Sequence, residues 1–475
     1  MRTSIPVIFV ASLMVLASLS VLRADEPYGF RANGQGRFPD ATPVTEWGPD
    51  KNVVWKTPMP NWSNACPVLC DDRLFVCSEP TTLICVSLAD GKLLWQKSNS
   101  YADILTDPAE QAKIEENAKR GDELKAQIDA KEKERQAAAE VWSKDKNATT
   151  LQKVKDLDRE IKAIGVELSR VSYALPRAHA ENGYSSATPV TDGKNVWAVF
   201  GNGVVVCYDK DGTLIWRRIV EQPALVDTLV YGSSASPLLA GNVLLVQYNN
   251  LFGLDAATGK ELWKTDVRPG YGTAALAKIG DEYVVYTPYG AAVTVSNGTA
   301  IATDLGGITQ SHDSTGPLVQ DGVLYYIDEK QWAYRLPATA AGRPEKIWEN
   351  AIVTDPILSH IPHRYYATPL LHEGLLYNVT NESKVLTVVD AETGKTVYEN
   401  TDLRKRLGGL VYASPTLAGK YVVLMSYSGT ALVLEPGREY KEVAENKLEP
   451  LRSSPVFAGS RMYVRTLKTL YCIGK

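Results

Sequence analysis

The sequence has little of what a membrane span or a nucleic-acid surface needs. Beyond its first 24 residues, no stretch approaches the roughly 20 consecutive apolar residues that cross a bilayer. The 51 Lys and Arg residues are outnumbered by 55 Asp and Glu residues, which gives a formal net charge of -4. A surface that binds nucleic acid is normally basic. We therefore expect no transmembrane segment in the mature chain and no nucleic-acid partner.

Cysteine is also scarce, and its spacing excludes several kinds of site. The six Cys include no adjacent pair and no Cys-x-x-Cys-His haem motif, and "CPVLC" at 66–70 lacks the second pair or His of a zinc site. Cys85, Cys207 and Cys472 stand in similar apolar contexts, which is typical of a small buried side chain. We expect at least four of the six to be reduced thiols in the core. The three cysteines at 66–77 are close enough in sequence to pair.

The first residues have the pattern of a signal peptide. A basic start at Met1-Arg2 is followed by an apolar or small run from Ile5 to Leu19, and Ala24 is a plausible cleavage point. We therefore assign residues 1–24 to a signal peptide and expect the protein to be exported, to the periplasm or the extracellular space.

A phrase recurs along the rest of the chain. "LDAATGKELW" at 254–263 resembles "VSLADGKLLW" at 86–95, "CYDKDGTLIW" at 207–216 and "VVDAETGKTVY" at 388–398. Each phrase ends a unit of roughly 40 residues. The unit opens with a small residue such as Ser or Thr, which is followed in most copies by Pro, and then by an apolar pair. About eight such units begin at Ser63, Ser185, Ser233, Gly272, Ser314, Ala367, Ala413 and Ser453.

The unit has the physical features of a four-stranded blade. Short apolar strands alternate with glycine turns such as Gly241 and Gly259, where a tight hairpin needs positive φ. Trp263 and its counterparts end the last hairpin in one register, where a large ring can fill the wedge between neighbouring blades. The sequence therefore predicts an all-β fold, an eight-bladed β-propeller of four-stranded blades.

The "DAATGKELW" phrase at 255–263 resembles the tryptophan-docking repeat of the pyrroloquinoline-quinone-type propellers. That superfamily contains the quinoprotein alcohol dehydrogenases and the non-catalytic propeller scaffold of the outer-membrane β-barrel assembly machine. The resemblance implies a ring closed by an N-terminal strand that pairs with the last blade. "NVVWKTPMP" at 52–60 fits this strand, with Trp55 supplying the tryptophan that the last repeat lacks.

Residues 103–175 interrupt the repeats with a helical composition. Asp107-Pro108-Ala109-Glu110 has the features of a helix start, and a second helix is expected from about Thr149. A coiled-coil seam, with a turn at 143–147, predicts an antiparallel hairpin of roughly 40–45 Å. Either a solvated decoration or a protein-docking arm fits this composition. The expected organisation is thus signal peptide 1–24, closing strand and first blade 25–102, helical hairpin 103–175 and the remaining blades 176–475.

Aromatic, basic and histidine residues recur just before the innermost strand of successive repeats, a position that rings one mouth of the channel. Such a funnel suits an anionic, sugar-like or peptide ligand, although polar propeller loops in general also carry such residues. The candidate ligand-binding residues are Trp62, His179, Tyr184, Tyr231, Arg268, Tyr271, His312, Asp313, His363, Arg364, Tyr365, Arg406, Tyr412 and Arg452.

The motifs for catalysis by a quinoprotein are absent from the sequence. The family resemblance implies a disulfide between adjacent Cys against the quinone and a calcium ion held by clustered carboxylates and amides, and neither pattern is present. We expect no catalytic residues, no metal site and no cofactor. The expected function is a non-catalytic, monomeric binding or scaffold protein for a protein partner or a small polar ligand. The alternative is a quinoprotein-type dehydrogenase with pyrroloquinoline quinone in the channel.

Overall fold

A computed structural model provides the structure of the protein. It describes residues 27–175, 178, 181–221, 232–268, 270–307, 314–327, 330–351 and 365–475. The predicted signal peptide lies outside the described residues.

The described chain forms eight sheets, one for each predicted repeat, and each has four antiparallel strands. One sheet has in addition a short fifth strand, which pairs in parallel. We call these sheets blades 1 to 8. The first strands of neighbouring blades contact one another, which places them innermost, around the axis. In blades 1 to 4 the strands are Val68–Cys70, Arg73–Ser78, Thr82–Ser87 and Leu93–Ser98; Val190–Thr191, Asn195–Val199, Val204–Asp209 and Leu214–Ile219; Leu238–Ala240, Val243–Gln247, Leu251–Asp255 and Glu261–Thr265; Ala275–Ile279, Glu282–Tyr286, Ala292–Thr294 and Ala300–Ala302. In blades 5 to 8 they are Leu318–Gln320, Val323–Ile327, Lys330–Arg335 and Glu345–Ala351; Leu370–His372, Leu375–Val379, Leu386–Asp390 and Thr396–Asn400; Thr416–Ala418, Tyr421–Met425, Thr430–Glu435 and Lys441–Lys447; Val456–Ala458, Arg461–Arg465, Thr469–Ile473 and Val53–Pro58.

Blade 8 is built from both ends of the chain. Val53–Pro58 pairs antiparallel with Thr469–Ile473 and places Trp55 opposite Cys472. This confirms the strand predicted at 52–60. Blade 8 in turn contacts blade 1, since the Trp55 indole donates to the Leu88 carbonyl at 3.2 Å. The N-terminal strand therefore covers an edge that the last repeat would otherwise expose.

Tryptophans at the end of the repeated phrase join neighbouring blades at five places in the described chain. In the described chain, indole nitrogens donate at 2.8 to 3.2 Å to a backbone carbonyl of the following blade; the pairs are Trp55–Leu88, Trp95–Lys210, Trp216–Ala256, Trp263–Val295 and Trp348–Ala391. Each ring also covers a turn glycine of that blade, where an added Cβ would lie closer than 3.0 Å to the ring; these are Gly91, Gly212, Gly259, Gly298 and Gly394. The phrase recurs because its Gly and its Trp belong to the two sides of one repeated interface.

The cysteine contexts have the same origin. Cys85, Cys207 and Cys472 lie directly opposite Trp95, Trp216 and Trp55 in the neighbouring strand. A small side chain is needed there because the indole covers it, and Gly253 takes this place opposite Trp263. All six Cys are described, and they are buried and unpaired.

Residues 101–169 are helical. A short helix, Tyr101–Ile104, precedes two long helices, Pro108–Asp145 and Ala148–Ser169, which together we call the helical arm. Leu124 and Ile128 pack with Leu168, while Ala138 packs with Val154 and Leu157, so the two helices run antiparallel. A further helix, Leu403–Arg406, and a 3-10 turn, Leu305–Gly307, lie in loops between blades.

The two helices of the hairpin differ in length, which the predicted 40–45 Å did not anticipate. At 1.5 Å per residue, the first has 38 residues and is about 57 Å long, and the second has 22 residues and is about 33 Å long. Asp107 caps the start of the first helix as predicted, but this helix continues through most of the predicted turn to Asp145. The reversal needs only Lys146, which has a positive φ of 49°, and Asn147, which caps the second helix.

The base of the helical arm is fixed to the blades. Ile114 and Tyr101 pack in the core shared by blades 1 and 2, and the Tyr101 hydroxyl donates to the Asn202 carbonyl. Arg217 of blade 2 donates to the Asp103 carbonyl at 2.7 Å. Ile114 therefore belongs to the propeller core and not to the seam between the helices.

An N-terminal segment that the sequence analysis did not predict crosses the channel. Residues 27–43, which we call the N-terminal plug, bridge to blade 2 through Tyr28 and Thr191. Arg31 then reaches blades 6 and 7, and a short strand, Arg37–Phe38, pairs in parallel with Thr416–Ala418. The plug thus spans from one side of the ring of blades to the other.

Candidate ligand-binding site at the channel mouth

A ring of hydrogen bonds surrounds the channel where the chain enters each innermost strand. The residue just before the blade's first proline, or its equivalent, donates its N–H to the side chain of the matching residue in the next blade. The described links are Cys66 to Thr188, Thr188 to Ser236, Ser236 to Thr273, Thr368 to Ser414, Ser414 to Ser454 and Ser454 to Cys66, at 2.8 to 3.3 Å. At Gly316 the position has no side chain, which interrupts the ring between blades 4 and 6. The ring fixes the spacing of the blades and directs small polar groups to the axis.

A cavity of about 190 Å³ lies on this ring. The ring residues other than Thr188, and Phe30 of the N-terminal plug, are among its lining, with further residues from the loops above them. Those further residues include Asn64, Glu181, Ser186, Tyr271, Tyr366, Tyr412 and Arg452. The lining therefore combines hydroxyl and amide groups with aromatic faces, one guanidinium and one carboxylate.

Arg452 is held among aromatic rings at the wall of the cavity. Its guanidinium carbon lies 5.4, 5.5 and 5.2 Å from the ring centroids of Trp62, Tyr412 and Tyr427. Its Nη1 donates to the Glu181 carbonyl at 2.9 Å, and its Nε has no partner among the described residues. Contacts with several ring faces stabilise the cation and hold the guanidinium in place.

Two stacked tyrosines form the neighbouring part of the wall. The rings of Tyr366 and Tyr412 lie 5.5 Å apart with an interplanar angle of 21°. The Tyr412 hydroxyl donates to Glu181 Oε2 at 2.8 Å. Burial, followed by this bond to a carboxylate, raises the pKa of Tyr412, so the phenol stays protonated as a donor at neutral pH.

The loop that follows the helical arm is anchored by a glutamate of blade 1. Glu79 accepts hydrogen bonds from the N–H groups of Tyr184 and Ser185 at 2.7 to 3.0 Å and from the Ser185 hydroxyl at 2.6 Å. Asn64 donates to the Glu181 carbonyl and to the Ser186 hydroxyl. Burial raises the pKa of Glu79, while the hydrogen bonds that its carboxylate accepts from Tyr184 and Ser185 oppose the shift. The loop is thereby held against the cavity.

The structure brings some of the predicted site residues together. Tyr271, Tyr412 and Arg452 line the cavity, and Trp62 contacts Arg452. The backbone of Tyr184 is anchored by Glu79 next to Ser186 of the lining.

Three other predicted residues lie elsewhere. Tyr365 is buried against Ile327, and its neighbour Tyr366 lines the cavity instead. Arg406 pairs with Glu442 and Glu445 of blade 7, while Arg268 lies 4.0 Å over the Tyr289 ring. The remaining predicted residues, His179, Tyr231, His312, Asp313, His363 and Arg364, lie outside the described residues.

The polar ring and part of the wall were not predicted from the sequence. The small residue before each blade proline recurs in the repeats and is a signal that could have identified the ring. The same register could have identified Tyr366, which stands two residues before the ring position, as Tyr271, Tyr412 and Arg452 do. Phe30 and Glu181 had no such signal, because they lie in irregular segments that only the folded chain brings to the axis.

Within the ranges that the structure describes, no three His, Cys, Asp or Glu side chains are grouped so as to hold a metal ion. None of the helices in these ranges is both long and apolar enough to span a bilayer.

The eight blades and the repeated docking phrase define a β-propeller repeat protein of the pyrroloquinoline-quinone type. The sequence profile of the outer membrane protein assembly factor BamB family matches residues 44–154, 136–357 and 314–474. These ranges cover most of the chain, and the chain belongs to this family.

Two solved structures share this architecture at low sequence identity, and a third matches more weakly. A europium-containing methanol dehydrogenase is 11% identical, over 93% of this chain and 98% of its own, with a TM-score of 0.56. The computationally designed Ika8 protein is 9% identical, over 89% and 100%, with a TM-score of 0.50. BamB from Moraxella catarrhalis is 16% identical, over 60% and 80%, with a TM-score of 0.47. None of the curated proteins matches the chain.

Proposed function

We propose that this protein is an exported, non-catalytic binding protein that captures a small polar ligand at the channel mouth. The observation that carries the proposal is the cavity on the hydrogen-bonded ring, with hydroxyl groups at its base and the Tyr366–Tyr412 pair and Arg452 at its wall. Such groups bind and orient a ligand. The Cys66 thiol in the same lining has a pKa raised by burial, so it is neutral and a weak nucleophile.

The size and the groups of the cavity favour a ligand of sugar-like dimensions. A volume of 190 Å³ accommodates on the order of a dozen water molecules, and therefore a ligand with about that many non-hydrogen atoms. Hydroxyl groups around the axis can exchange hydrogen bonds with a polyol, while a tyrosine face packs against its apolar ring side.

The described lining does not fit a quinone held by calcium. Calcium binds six to eight oxygen ligands, usually with several carboxylates. The described lining supplies one carboxylate, Glu181, which already accepts a hydrogen bond from Tyr412. Cys66 has no adjacent Cys with which to form the disulfide that the quinoprotein resemblance implies. The proposed function therefore includes no cofactor.

The test is direct detection of ligand binding by saturation-transfer NMR with a panel of monosaccharides and sugar acids. The proposal expects binding by the wild type and a loss of at least about tenfold in affinity in Arg452→Ala and in Tyr366→Ala. Arg438→Ala is the matched control, because Arg438 is exposed and pairs with Asp390 away from the cavity. Equal binding by all four proteins would contradict a site at the channel mouth.

A dehydrogenase is the second candidate, because a methanol dehydrogenase shares the fold. Protein supplied with pyrroloquinoline quinone and calcium would then oxidise an alcohol or a sugar and reduce an electron-accepting dye. If the protein is a non-catalytic binding protein, we expect no dye reduction above that of a protein-free control.

We also propose that the helical arm binds a protein partner, which is consistent with a family named for an assembly factor. The distal half of the arm exposes Val141, and Lys131 pairs with Glu160 at 2.8 Å across its two helices. Joining these two residues by a short Gly-Ser turn would remove the distal half and keep the Leu124–Leu168 packing at the base.

We expect this shortened protein to remain a monomer and to keep its ligand affinity, while losing co-purification with its envelope partner. Co-purification that is unchanged by the truncation would argue against the distal half of the arm as the partner site.

A further inference from the structure

The N-terminal plug carries a buried cation directly beneath the cavity. Arg31 is 1% exposed, and its two terminal nitrogens donate to the carbonyls of Pro369 and Pro415 at 2.9 and 3.0 Å. These prolines immediately follow Thr368 and Ser414, which line the cavity. The guanidinium therefore contacts blades 6 and 7 one residue beyond the residues that line the cavity.

The chain is built to accept the guanidinium at this place. Gly36, with φ of 68°, lies against the Arg31 side chain, and an added Cβ would collide with the guanidinium. Its backbone N–H donates to the Arg31 carbonyl at 3.0 Å. The plug thus folds around its own arginine.

Within the described residues, the charge of Arg31 has only neutral partners. Its side-chain hydrogen bonds go to two backbone carbonyls, no described carboxylate forms an ion pair with it, and its Nε has no hydrogen-bond partner there. Burial lowers the pKa of Arg31 to about 9, which leaves the group charged at neutral pH. A buried ion that has only neutral dipoles for partners is costly, and an anion nearby would relieve that cost.

The described lining has no net charge of its own. Arg452 and Glu181 offset each other, and burial keeps the Cys66 thiol neutral. Arg31, directly beside this lining, adds a positive charge. Because the interior has a low effective dielectric constant, a guanidinium acts on a ligand across several ångströms without touching it.

We propose that the cavity selects ligands that carry an anionic group such as a carboxylate, and that Arg31 of the N-terminal plug provides this selectivity. The inference rests on the proposed binding function and specifies the chemical class of the ligand. A small sugar acid or hydroxy acid combines the required negative charge with hydroxyl groups that match the polar ring.

Matched probes separate charge from shape. Glucuronate and glucuronamide have nearly the same size and hydroxyl pattern but differ in charge, as do galacturonate and galacturonamide. Binding of each compound is measured by calorimetry to the wild type and to Arg31→Gln, Arg31→Lys and Arg37→Gln. Arg37→Gln is the control, because Arg37 lies in the same plug but outside the cavity lining.

The wild type is expected to bind at least one acid about tenfold more tightly than its amide. Arg31→Gln should reduce this ratio to about twofold or less by weakening the acid alone, whereas Arg31→Lys and Arg37→Gln should retain most of it. Equal affinities for acid and amide in the wild type would overturn the inference and leave the binding function standing. A ratio that persists in a folded Arg31→Gln protein would also overturn it.

If Arg31→Gln does not fold, the test uses the wild type and Arg31→Lys. A tenfold preference for the acid in both proteins supports the inference, and equal affinities for acid and amide in the wild type overturn it. Binding of neither acid nor amide by the wild type would overturn the small-ligand function itself, together with the inference.

Discussion

At the scale of single residues, glycines of the repeat have two different roles. Gly241 and Gly259 of blade 3 both have positive φ, at 60° and 71°. Nothing lies within 4 Å of a Cβ added at Gly241, whereas one added at Gly259 would collide with the Trp216 ring. Gly241 is needed only for the backbone conformation of its turn, whereas Gly259 also leaves space for the Trp216 ring of the preceding blade.

This difference predicts unequal costs for two chemically identical substitutions. Gly241→Ala should lower the free energy of unfolding by about 1–2 kcal/mol, the cost of a left-handed residue with a Cβ. Gly259→Ala should cost clearly more, because Trp216 must also shift out of a packed interface. Urea unfolding of the two variants measures the difference, and equal losses would argue against the interface role.

Glu79 gives a prediction for pH dependence. Since burial raises its pKa above the ordinary 4.5, the folded protein holds this proton to a higher pH than the unfolded chain does. The stabilisation that comes from the difference in the pKa of Glu79 between the folded and unfolded states is fully present below about pH 4.5. It is lost as the pH rises through the raised pKa of the folded state. Gln does not titrate. The stability of the wild type relative to Glu79→Gln should therefore be greater at about pH 4 than at about pH 7.5 in paired unfolding experiments, and the opposite trend would contradict the raised pKa.

At the scale of elements, an indole hydrogen bond and an indole ring packed on a turn fix the outer strands of five blades to the next blade. The Trp263 indole donates to the Val295 carbonyl at 2.8 Å and covers Gly298. Trp142 lies near the tip of the helical arm, where the Lys146 ammonium lies 4.5 Å from its ring centroid. Trp263 therefore joins two blades, whereas the described contact of Trp142 is with a residue of its own arm.

Replacing each tryptophan by alanine tests this assignment. Trp263→Ala should cost about 3 kcal/mol or more, as is typical when a large packed side chain is truncated. Trp142→Ala should cost less than about 1 kcal/mol, because it lies near the tip of the arm. Thermal and urea unfolding provide the comparison, and similar shifts for the two variants would contradict the packing described for Trp263.

At the scale of the whole molecule, the N-terminal segment does two separable things. The plug at 27–43 lies across the channel, while Val53–Pro58 completes blade 8. Without Val53–Pro58, the strand Thr469–Ile473 would present an unpaired and largely apolar edge.

Two truncations separate these roles. A mature chain that starts after residue 43 should remain monomeric, because blade 8 keeps all of its strands. A chain that starts after residue 60 should aggregate through the exposed edge of blade 8. Size-exclusion chromatography distinguishes the two outcomes, and a monomeric second truncation would show that the strand is not needed to protect that edge.

The sequence by itself determined the number and the kind of blades, because the units repeat their turn glycines and apolar strands, and several of them also repeat the docking tryptophan. It also determined that residues 52–60 complete blade 8, since Trp55 fills a place that the last repeat leaves vacant. Only the tertiary structure decided the composition of the cavity. Phe30 and Glu181 of the lining, and Arg31 beside it, lie in irregular segments with no periodic pattern. Their positions depend on long-range contacts, such as those of Arg31 with Pro369 and Pro415, and such contacts arise only when the ring of blades brings distant parts of the chain to one axis.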